Sequence, residues 1–436
     1  MANTRALAAQ TLVRVIDNRQ NLKTAMRELP AELSAQDSGF VQELTYGVCR
    51  WYFALGHIVS TLVSKPIKAK DNDIKYLMMI GLYQIIHLST PDHAAVKETV
   101  EGAVLLKKSW ARGFLNGCLR TAVRDKAKII HEQHEAKISN QPDWFFASIT
   151  KDWPTQSSAI LAAYNERPPM TLRVNPAATS RDSYLQQLEQ REISARPTTF
   201  SEFGIVLQQP VAPETLVGFH DGVVSVQDEA AQFAATLLAP GKSDYVLDAC
   251  AAPGGKACHL LELNNDINFT ALDISEDRLS LVRDNFARQG LKGSFSLGDA
   301  REIESWWDGV QFDRILVDAP CSATGVLRRQ PDVKLHRQAD DISQLSQLQA
   351  QILDALWRTL KPGGSLLYAT CSILKQENDE VIADFLRTHG NAEAINLETL
   401  WGTPTQFGRQ TLPGEQDMDG FYYAMLAKSV LSAVSN

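Results

Sequence analysis

No stretch of this 436-residue chain runs to the ~18 uncharged apolar residues that a membrane-spanning helix needs, so no membrane span is expected. Cysteine is scarce, six in the whole chain. None of the six stands in a Cys-x-x-Cys pair, so neither a disulfide framework nor a metal site is read from them. Internal repeats and low-complexity tracts are missing. The beginning, Met1-Ala2-Asn3-Thr4-Arg5, lacks a secretory pattern, because Asn18-Arg19-Gln20-Asn21 interrupts any apolar core. A cytoplasmic location is expected, where thiols stay reduced and free for chemistry.

The 44% hydrophobic and 22% charged content is that of an ordinary globular protein, and the length suggests about three domains. The formal charge of −8 argues mildly against nucleic acid, but it is unevenly spread. Residues 1–140 carry 19 Lys/Arg against 13 Asp/Glu, and the remainder carries 24 against 38. A phosphate backbone is drawn to the basic third. The plainer alternative is a set of solvated helix faces.

Residues 1–135 read as all-helical. Ala6, Leu7, Ala8, Leu12, Val13, Val15 and Ile16 recur at helical spacing, as do Phe40, Val41, Leu44 and Val48, then Leu77, Met78, Ile80, Leu82 and Ile85. The polar run Lys126 to Asn140, with His131 and His134, reads as a connector. From 141 to 235 the character changes to a small α/β module. It has short strands around Thr171-Leu172-Arg173-Val174, Gly204 to Leu207 and Gly222 to Val226, and a helix from Ser180 to Gln190. Arg173 is open to two readings, a phosphate contact or a structural arginine. From 236 to 436 strands and helices alternate, which predicts a doubly wound parallel sheet. The predicted strands are Tyr245–Asp248, Phe269–Asp273, Phe312–Asp318 and Ser365–Thr370. The last follows a turn at Lys361-Pro362-Gly363-Gly364.

In such a sheet, ligands bind beyond the carboxyl ends of the strands. The loop Asp248-Ala249-Cys250-Ala251-Ala252-Pro253-Gly254-Gly255-Lys256 stands there after the first strand. Its glycines let the backbone approach a cofactor, and the following helix offers N–H groups to a carboxylate. Asp273 ends the second strand and can accept ribose hydroxyls. Asp299, after the third, can accept an adenine amino group. Taken singly, each Asp is as readily a cap or turn residue. No Gly-Lys-Ser/Thr closes the loop, and it is not Gly-x-Gly-x-x-Gly, so S-adenosylmethionine fits better than ATP or NAD.

Two further junctions carry cysteines: Asp318-Ala319-Pro320-Cys321-Ser322 and Ala369-Thr370-Cys371-Ser372. Two thiols near a nucleotide-type loop suggest covalent chemistry on an electron-poor ring. Cytosine carbon 5 is a poor nucleophile until a thiolate adds at carbon 6. A second group then helps to eliminate the thiol. Asp318 can hold the ring by its N3/N4 edge. Cys49, Cys118 and Cys258 sit among apolar helical neighbours and read as core. Cys250 reads as a cofactor contact. The shared Ser after Cys321 and Cys371 sets these two apart, but the residues alone do not say which is the nucleophile.

These motifs resemble the RNA cytosine-5 methyltransferases of the NOL1/NOP2/Sun family, in particular its bacterial small-subunit rRNA members, over nearly the whole chain. Residues 1–135 resemble a NusB-like RNA-binding domain. The module around Arg173-Val174-Asn175 and Gln227-Asp228-Glu229-Ala230-Ala231 resembles the family's small RNA-recognition-like extension. The C-terminal 200 or so residues look like a class I, Rossmann-like methyltransferase core, and Phe407 to Lys428 looks like its closing hairpin. The resemblance implies that Cys371 is the nucleophile and that Cys321 assists release. It implies that Cys250, Ala251, Ala252, Pro253, Gly254, Gly255, Lys256, Asp273, Asp299 and Asp318 serve the S-adenosylmethionine site, with no metal. It also implies cytosine 967 of 16S rRNA as target, with naked or early-assembly RNA as substrate. A monomer is expected, and DNA is not expected as a partner. Two alternatives remain: a tRNA or large-subunit rRNA cytosine-5 methyltransferase, and a non-catalytic RNA-binding assembly factor.

Overall fold

The computed structural model describes residues 3–135 and 140–430, with side chains of the first stretch described up to residue 132. The chain forms two compact units: Met1–Glu166 with Leu327–Gln338, and Arg167–Val326 with Ala339–Asn436.

The first unit is helical, and its core explains its spacing patterns. The helix Asn72–His87 is buried from Tyr76 through Ile85, as expected of a helix surrounded by others rather than lying on a surface. The helices Thr4–Leu12 and Ala35–Arg50 pack against it with their apolar faces. Ser34 begins the latter by accepting the Asp37 amide at 3.0 Å, which satisfies one of the donors a helix start leaves free. Leu12, Val41, Leu44, Val48, Leu77 and Ile80 share one core. Each such burial stabilises by about 1.5–3 kcal/mol. The stretch read as a connector is instead helical over Lys126–Glu135. Within it Ile129 packs against the core. Residues 136–139 lie outside the described residues.

The segment Leu327–Gln338 belongs to this helical unit, although its neighbours in sequence on both sides belong to the other. Strand–helix alternation carried no sign of that. The Asp332 carboxylate accepts the Leu22 amide at 2.9 Å. The buried Lys334 ammonium donates to the Arg50 carbonyl at 2.5 Å and to the Asn140 carbonyl at 2.7 Å. A buried ammonium requires such acceptors.

The second unit holds two sheets. The smaller has β1 (Met170–Val174), β2 (Ala195–Pro197), β3 (Gly204–Leu207) and β4 (Val224–Val226), in the antiparallel order β2-β3-β1-β4. Leu172, Val174, Ile205, Leu207 and Val224 pack on Tyr184 and Leu188 of the helix Arg181–Glu189. β2 was not legible in sequence because its three residues are intermediate or exposed and one is Pro197. Arg173 is not a phosphate contact. Its side chain is fully buried against Glu262, with Nε and Nη2 on the two carboxylate oxygens. It also donates to Gln227 and, at 2.8 Å, to the Gly255 carbonyl.

The larger sheet runs from β5 (Tyr245–Ala249) through β6 (Asn268–Asp273), β7 (Ser294–Leu297), β8 (Phe312–Asp318), β9 (Leu360–Thr370), β10 (Ala392–Ile395), β11 (Thr403–Pro404) and β12 (Arg409–Gln410) to β13 (Tyr422–Lys428). Its order is β11-β12-β13-β9-β8-β5-β6-β7, with β10 beside β13. The pairs among β5 to β9 are parallel, and those made by β10, β12 and β13 are antiparallel. The sheet is therefore mixed and not wholly parallel. The hairpin of β12 and β13 is the expected closing element. Lys361 to Gly364 does not form a separate turn; β9 begins at Leu360 and absorbs the region as an irregularity opposite Phe312 and Arg314. Alternate residues serve opposite cores: Val246, Ala271, Leu316 and Leu367 on one face, Leu247, Leu272, Ile315 and Leu366 on the other. That two-sided burial is why these strands read as continuous apolar runs. The chain runs from β5 outward to β7 and then returns to β8 on the other side of β5. This reversal is where a ligand crevice forms.

Candidate active site

The glycine loop leaves β5 at Ala249 and enters the helix Gly255–Leu263, which starts without a side-chain cap. Cys250 and Gly254 have positive φ, 63° and 99°, and the Ala252–Pro253 peptide is cis. At Gly254 a Cβ would also come within 3.2 Å of Val282 Cα, so glycine is required there twice over. Asp273, at the end of β6, accepts the Ala252 amide at 3.1 Å and pairs with Arg278 at 3.4 Å. It thus holds the loop as well as facing it. Asp299 follows β7 but is clasped by Arg301 through its amide and guanidinium, down to 2.6 Å. Those bonds hold its carboxyl below the usual range.

Asp248 is different. It is buried, and neither carboxylate oxygen has a hydrogen-bond partner among the described residues. Burial, then the charge of Asp318, pushes its carboxyl well above the usual carboxylate range. A buried carboxylate without donors is costly. It suits a site that receives a cationic, hydrogen-bonding ligand group. Cys250 lies beside it with its thiol pushed up to about 12, chiefly by burial and then by Asp273 and Asp318. That thiol stays protonated, in keeping with a contact and not a nucleophile.

The two sheet-end cysteines come together because β8 and β9 are adjacent, parallel and level. Asp318 is in register with Ala369, and the Ala319 amide donates to the Ala369 carbonyl at 2.9 Å. The loops that follow start at one height, and Cys321 Sγ lies 3.3 Å from Cys371 Sγ. Gly325 closes the back of this junction. Its amide donates to the Cys371 carbonyl at 2.8 Å, and a Cβ there would meet the Gly420 carbonyl oxygen at 2.0 Å. The Lys256 ammonium pairs with Asp318 at 2.7 Å and stands 5.0 Å from the Phe421 ring centroid. Burial alone would lower this ammonium; Asp318 by charge and hydrogen bond, followed by Cys371, holds it above its ordinary value. The hydrogen bond to Cys371, then burial and the charges of Cys371 and Glu377, raise the Cys321 thiol well above the ordinary cysteine range.

Cys49, Cys118 and Cys258 are buried, Cys49 and Cys118 in the helical unit and Cys258 in the helix Gly255–Leu263. Sequence reasoning does not single out Glu377 or Gln349, and places Phe421 only in the closing hairpin. The one available signal was the repeated Cys-Ser, because Ser322 and Ser372 both reach Glu377.

Residues 235–427 match the family described as 16S rRNA methyltransferase RsmB/F. Residues 2–124 match the NusB family, and 141–214 match the ferredoxin-like domain of RsmF/B-like methyltransferases. Ribosomal RNA small subunit methyltransferase B of Pseudomonas syringae pv. tomato is 45% identical over 434 residues, covering 98% of this chain and 97% of that protein. The protein of the same name from Escherichia coli SE11 is 43% identical over 427 residues, covering 98% and 99%. A methyltransferase homolog protein from Pyrococcus horikoshii has a solved structure with a TM-score of 0.58 and 27% identity, covering 65% of this chain and 94% of that one. The fold alone extends to PH0851, with a TM-score of 0.82 at 22% identity over 98% and 99% of the two chains. With near-full-length relatives at this identity, and with a methyltransferase sheet carrying two apposed thiols at its carboxyl edge, the chain belongs to the 16S rRNA methyltransferase RsmB/F family.

Proposed function

We propose that this protein transfers a methyl group from S-adenosylmethionine to carbon 5 of a cytosine in 16S rRNA, cytosine 967 by family resemblance, with Cys371 as nucleophile. The observation that carries the reading is the 3.3 Å apposition of Cys321 and Cys371 beside the Lys256–Asp318 pair. The names of the near-full-length relatives support small-subunit rRNA as substrate. The Asp248 carboxylate without donors suits the amino group of S-adenosylmethionine. The glycine loop from Cys250 through Lys256 takes the methionine part, Asp273 the ribose, and Asp299, after exchange of a contact with Arg301, the base. When bound, S-adenosylmethionine supplies an electrophilic methyl group.

Asp318 accepts from the exocyclic amino group of the cytosine and fixes the ring. The reactive form of a cysteine is its thiolate. Cys371 adds to carbon 6, forming a C–S bond, and the electron pair moves to carbon 5. Carbon 5 would then take the methyl group, the sulfonium S–CH3 bond breaking to leave a neutral thioether. Loss of the proton from carbon 5 to solvent water then pushes the electron pair back and breaks the C–S bond. Cys321, held as a neutral thiol, donates to the departing Cys371 sulfur. In this reading residues 1–135 supply RNA affinity, 141–235 orient the RNA, and 236–436 carry the chemistry. The protein works in the cytoplasm as a monomer on naked or early-assembly RNA.

The test uses Cys321→Ala with unmodified 16S rRNA transcript and S-adenosylmethionine. An RNase-sensitive protein–RNA band on a denaturing gel is expected, because attack proceeds and release stalls. Methyl transfer retained by Cys371→Ala would overturn the assignment of the nucleophile.

A further inference from the structure

We propose that Glu377 is a positioning residue for the paired thiols, holding the Cys321 and Cys371 loops in mutual register through Ser322 and Ser372. The inference deepens the cytosine-5 reading and rests on it for its catalytic consequence.

Glu377 is fully buried and ends a short 3-10 turn, Lys375–Glu377, just after the Cys371 loop. Its Oε1 accepts the Ser322 amide at 2.7 Å and Gln349 Nε2 at 3.2 Å. Its Oε2 accepts the Ser322 hydroxyl and the Ser372 hydroxyl, each at 2.5 Å. The residue after each cysteine is therefore bound to one carboxylate. Four donors converge on two oxygens, an arrangement that only the ionised carboxylate completes, since a protonated one would turn an acceptor into a donor. Hydrogen bonds to a charged acceptor are the stronger kind. Gln349 also donates to the Pro320 carbonyl at 3.0 Å, so the Cys321 loop is held on both sides of its thiol. Asn378, the next residue, donates to the Ser372 carbonyl at 3.0 Å and accepts the Thr370 hydroxyl at 2.6 Å. The Cys371 loop is thereby held on both sides as well. Thr324 bridges the two serines, with the Ser322 hydroxyl and Ser372 hydroxyl each 3.1 Å from its own.

Two consequences follow. The sulfur–sulfur distance is set by a buried polar clamp, and a displacement of about 1 Å there costs on the order of 100-fold in rate. The charge of Glu377 also disfavours a second thiolate at Cys321.

The experiment compares wild type, Glu377→Gln and Glu377→Asp in the full-length protein. Gln keeps the volume but presents an amide that cannot accept all four donors. Asp keeps the charge with a shorter reach. The first readout is the pH profile of iodoacetamide labelling at Cys321 and Cys371, resolved by peptide mass, which needs no RNA. The second is single-turnover methyl transfer with 16S rRNA transcript, alongside S-adenosylmethionine affinity and melting temperature. In Glu377→Gln, Cys321 labelling is expected to begin about one pH unit lower. Methyl transfer is expected to fall about 100-fold, with S-adenosylmethionine affinity within about threefold of wild type. Glu377→Asp restores the labelling profile and part of the rate. An unchanged Cys321 profile in Glu377→Gln overturns the proposal even where turnover falls. A rate loss that tracks loss of S-adenosylmethionine affinity and melting temperature also overturns it, because the residue is then only structural. Wild type without transfer to the transcript counts against the cytosine-5 reading instead, and the labelling profile still decides the role of Glu377.

Discussion

The carboxyl edge of the large sheet has two halves built on opposite principles. On the thiol side, between β8 and β9, Ser322, Thr324, Ser372 and Gln349 all reach one another or Glu377, with Gln349 Oε1 left as an unpartnered atom among the described residues. On the glycine-loop side, at the end of β5, Asp248 is buried with no donor to either carboxylate oxygen among the described residues. The difference teaches where ligand and chemistry divide. A group that waits for a ligand is left unsatisfied, and its cost is offset when the ligand arrives. On the proposed reading, a pair of reacting sulfurs must be held before substrate arrives, and the protein supplies most of its surroundings.

That contrast can be broken at three points. The largest effect is expected on the thiol side: Cys371→Ala lowers methyl transfer by about 10⁴-fold or more while the methyl donor still binds. Single-turnover transfer and equilibrium binding check the two halves separately. Loss of donor binding in this variant would show that the two sides are not independent.

The next effect is on stability. Arg173 and Glu262 form a fully buried ion pair that also holds the Gly255 carbonyl under the glycine loop. Arg173→Ala leaves a buried carboxylate alone and should cost about 3–5 kcal/mol. Replacing both partners, as Arg173→Met with Glu262→Leu, should recover much of that loss. Denaturant unfolding of the two variants measures it, and equal destabilisation by both would assign the cost to packing instead of charge.

The smallest effect concerns the unsatisfied carboxylate. Asp248 has a folded-state pKa raised above its unfolded one. The folded protein then holds a proton that the unfolded chain releases as pH climbs out of the ordinary carboxylate range. Ligand-free stability is full below that range and declines as pH rises through the folded-state pKa. Asp248→Asn should flatten this decline, so that the variant melts a few degrees above wild type at pH 8 and no higher at pH 4. Its S-adenosylmethionine affinity should fall about tenfold. A variant that melts lower at pH 8, with affinity intact, would show that Asp248 already has a partner.

Much of this was legible in sequence, and the reason differs from element to element. The strand Phe312–Asp318 is read at its observed limits because burial on both faces leaves only apolar residues between Asp313 and Asp318 apart from Arg314. The helix expected over Ser180 to Gln190 is Arg181–Glu189, with Ser180 as its cap. The glycine loop, Asp273 and both strand-end cysteines are local motifs, and each was found. Arg173 was left between two readings because a strand arginine carries no mark of what lies opposite, and Glu262 is 89 residues away. The helix Lys126–Glu135 was missed because too little of it is apolar.

What the sequence by itself determined is the chemistry available: two thiols, an acidic residue before one of them, a loop without side-chain bulk, and the strands that end at each. Periodicity and short motifs carry this because they reflect neighbours along the chain. Only the tertiary structure decided that the thiols face each other at 3.3 Å, that one carboxylate binds the serines of both loops, and that Leu327–Gln338 belongs with the helical unit. Those facts depend on strand order and register, which bring together residues 50 positions apart. A buried polar clamp of this kind has no period and no fixed spacing, so it exists only once the sheet has formed.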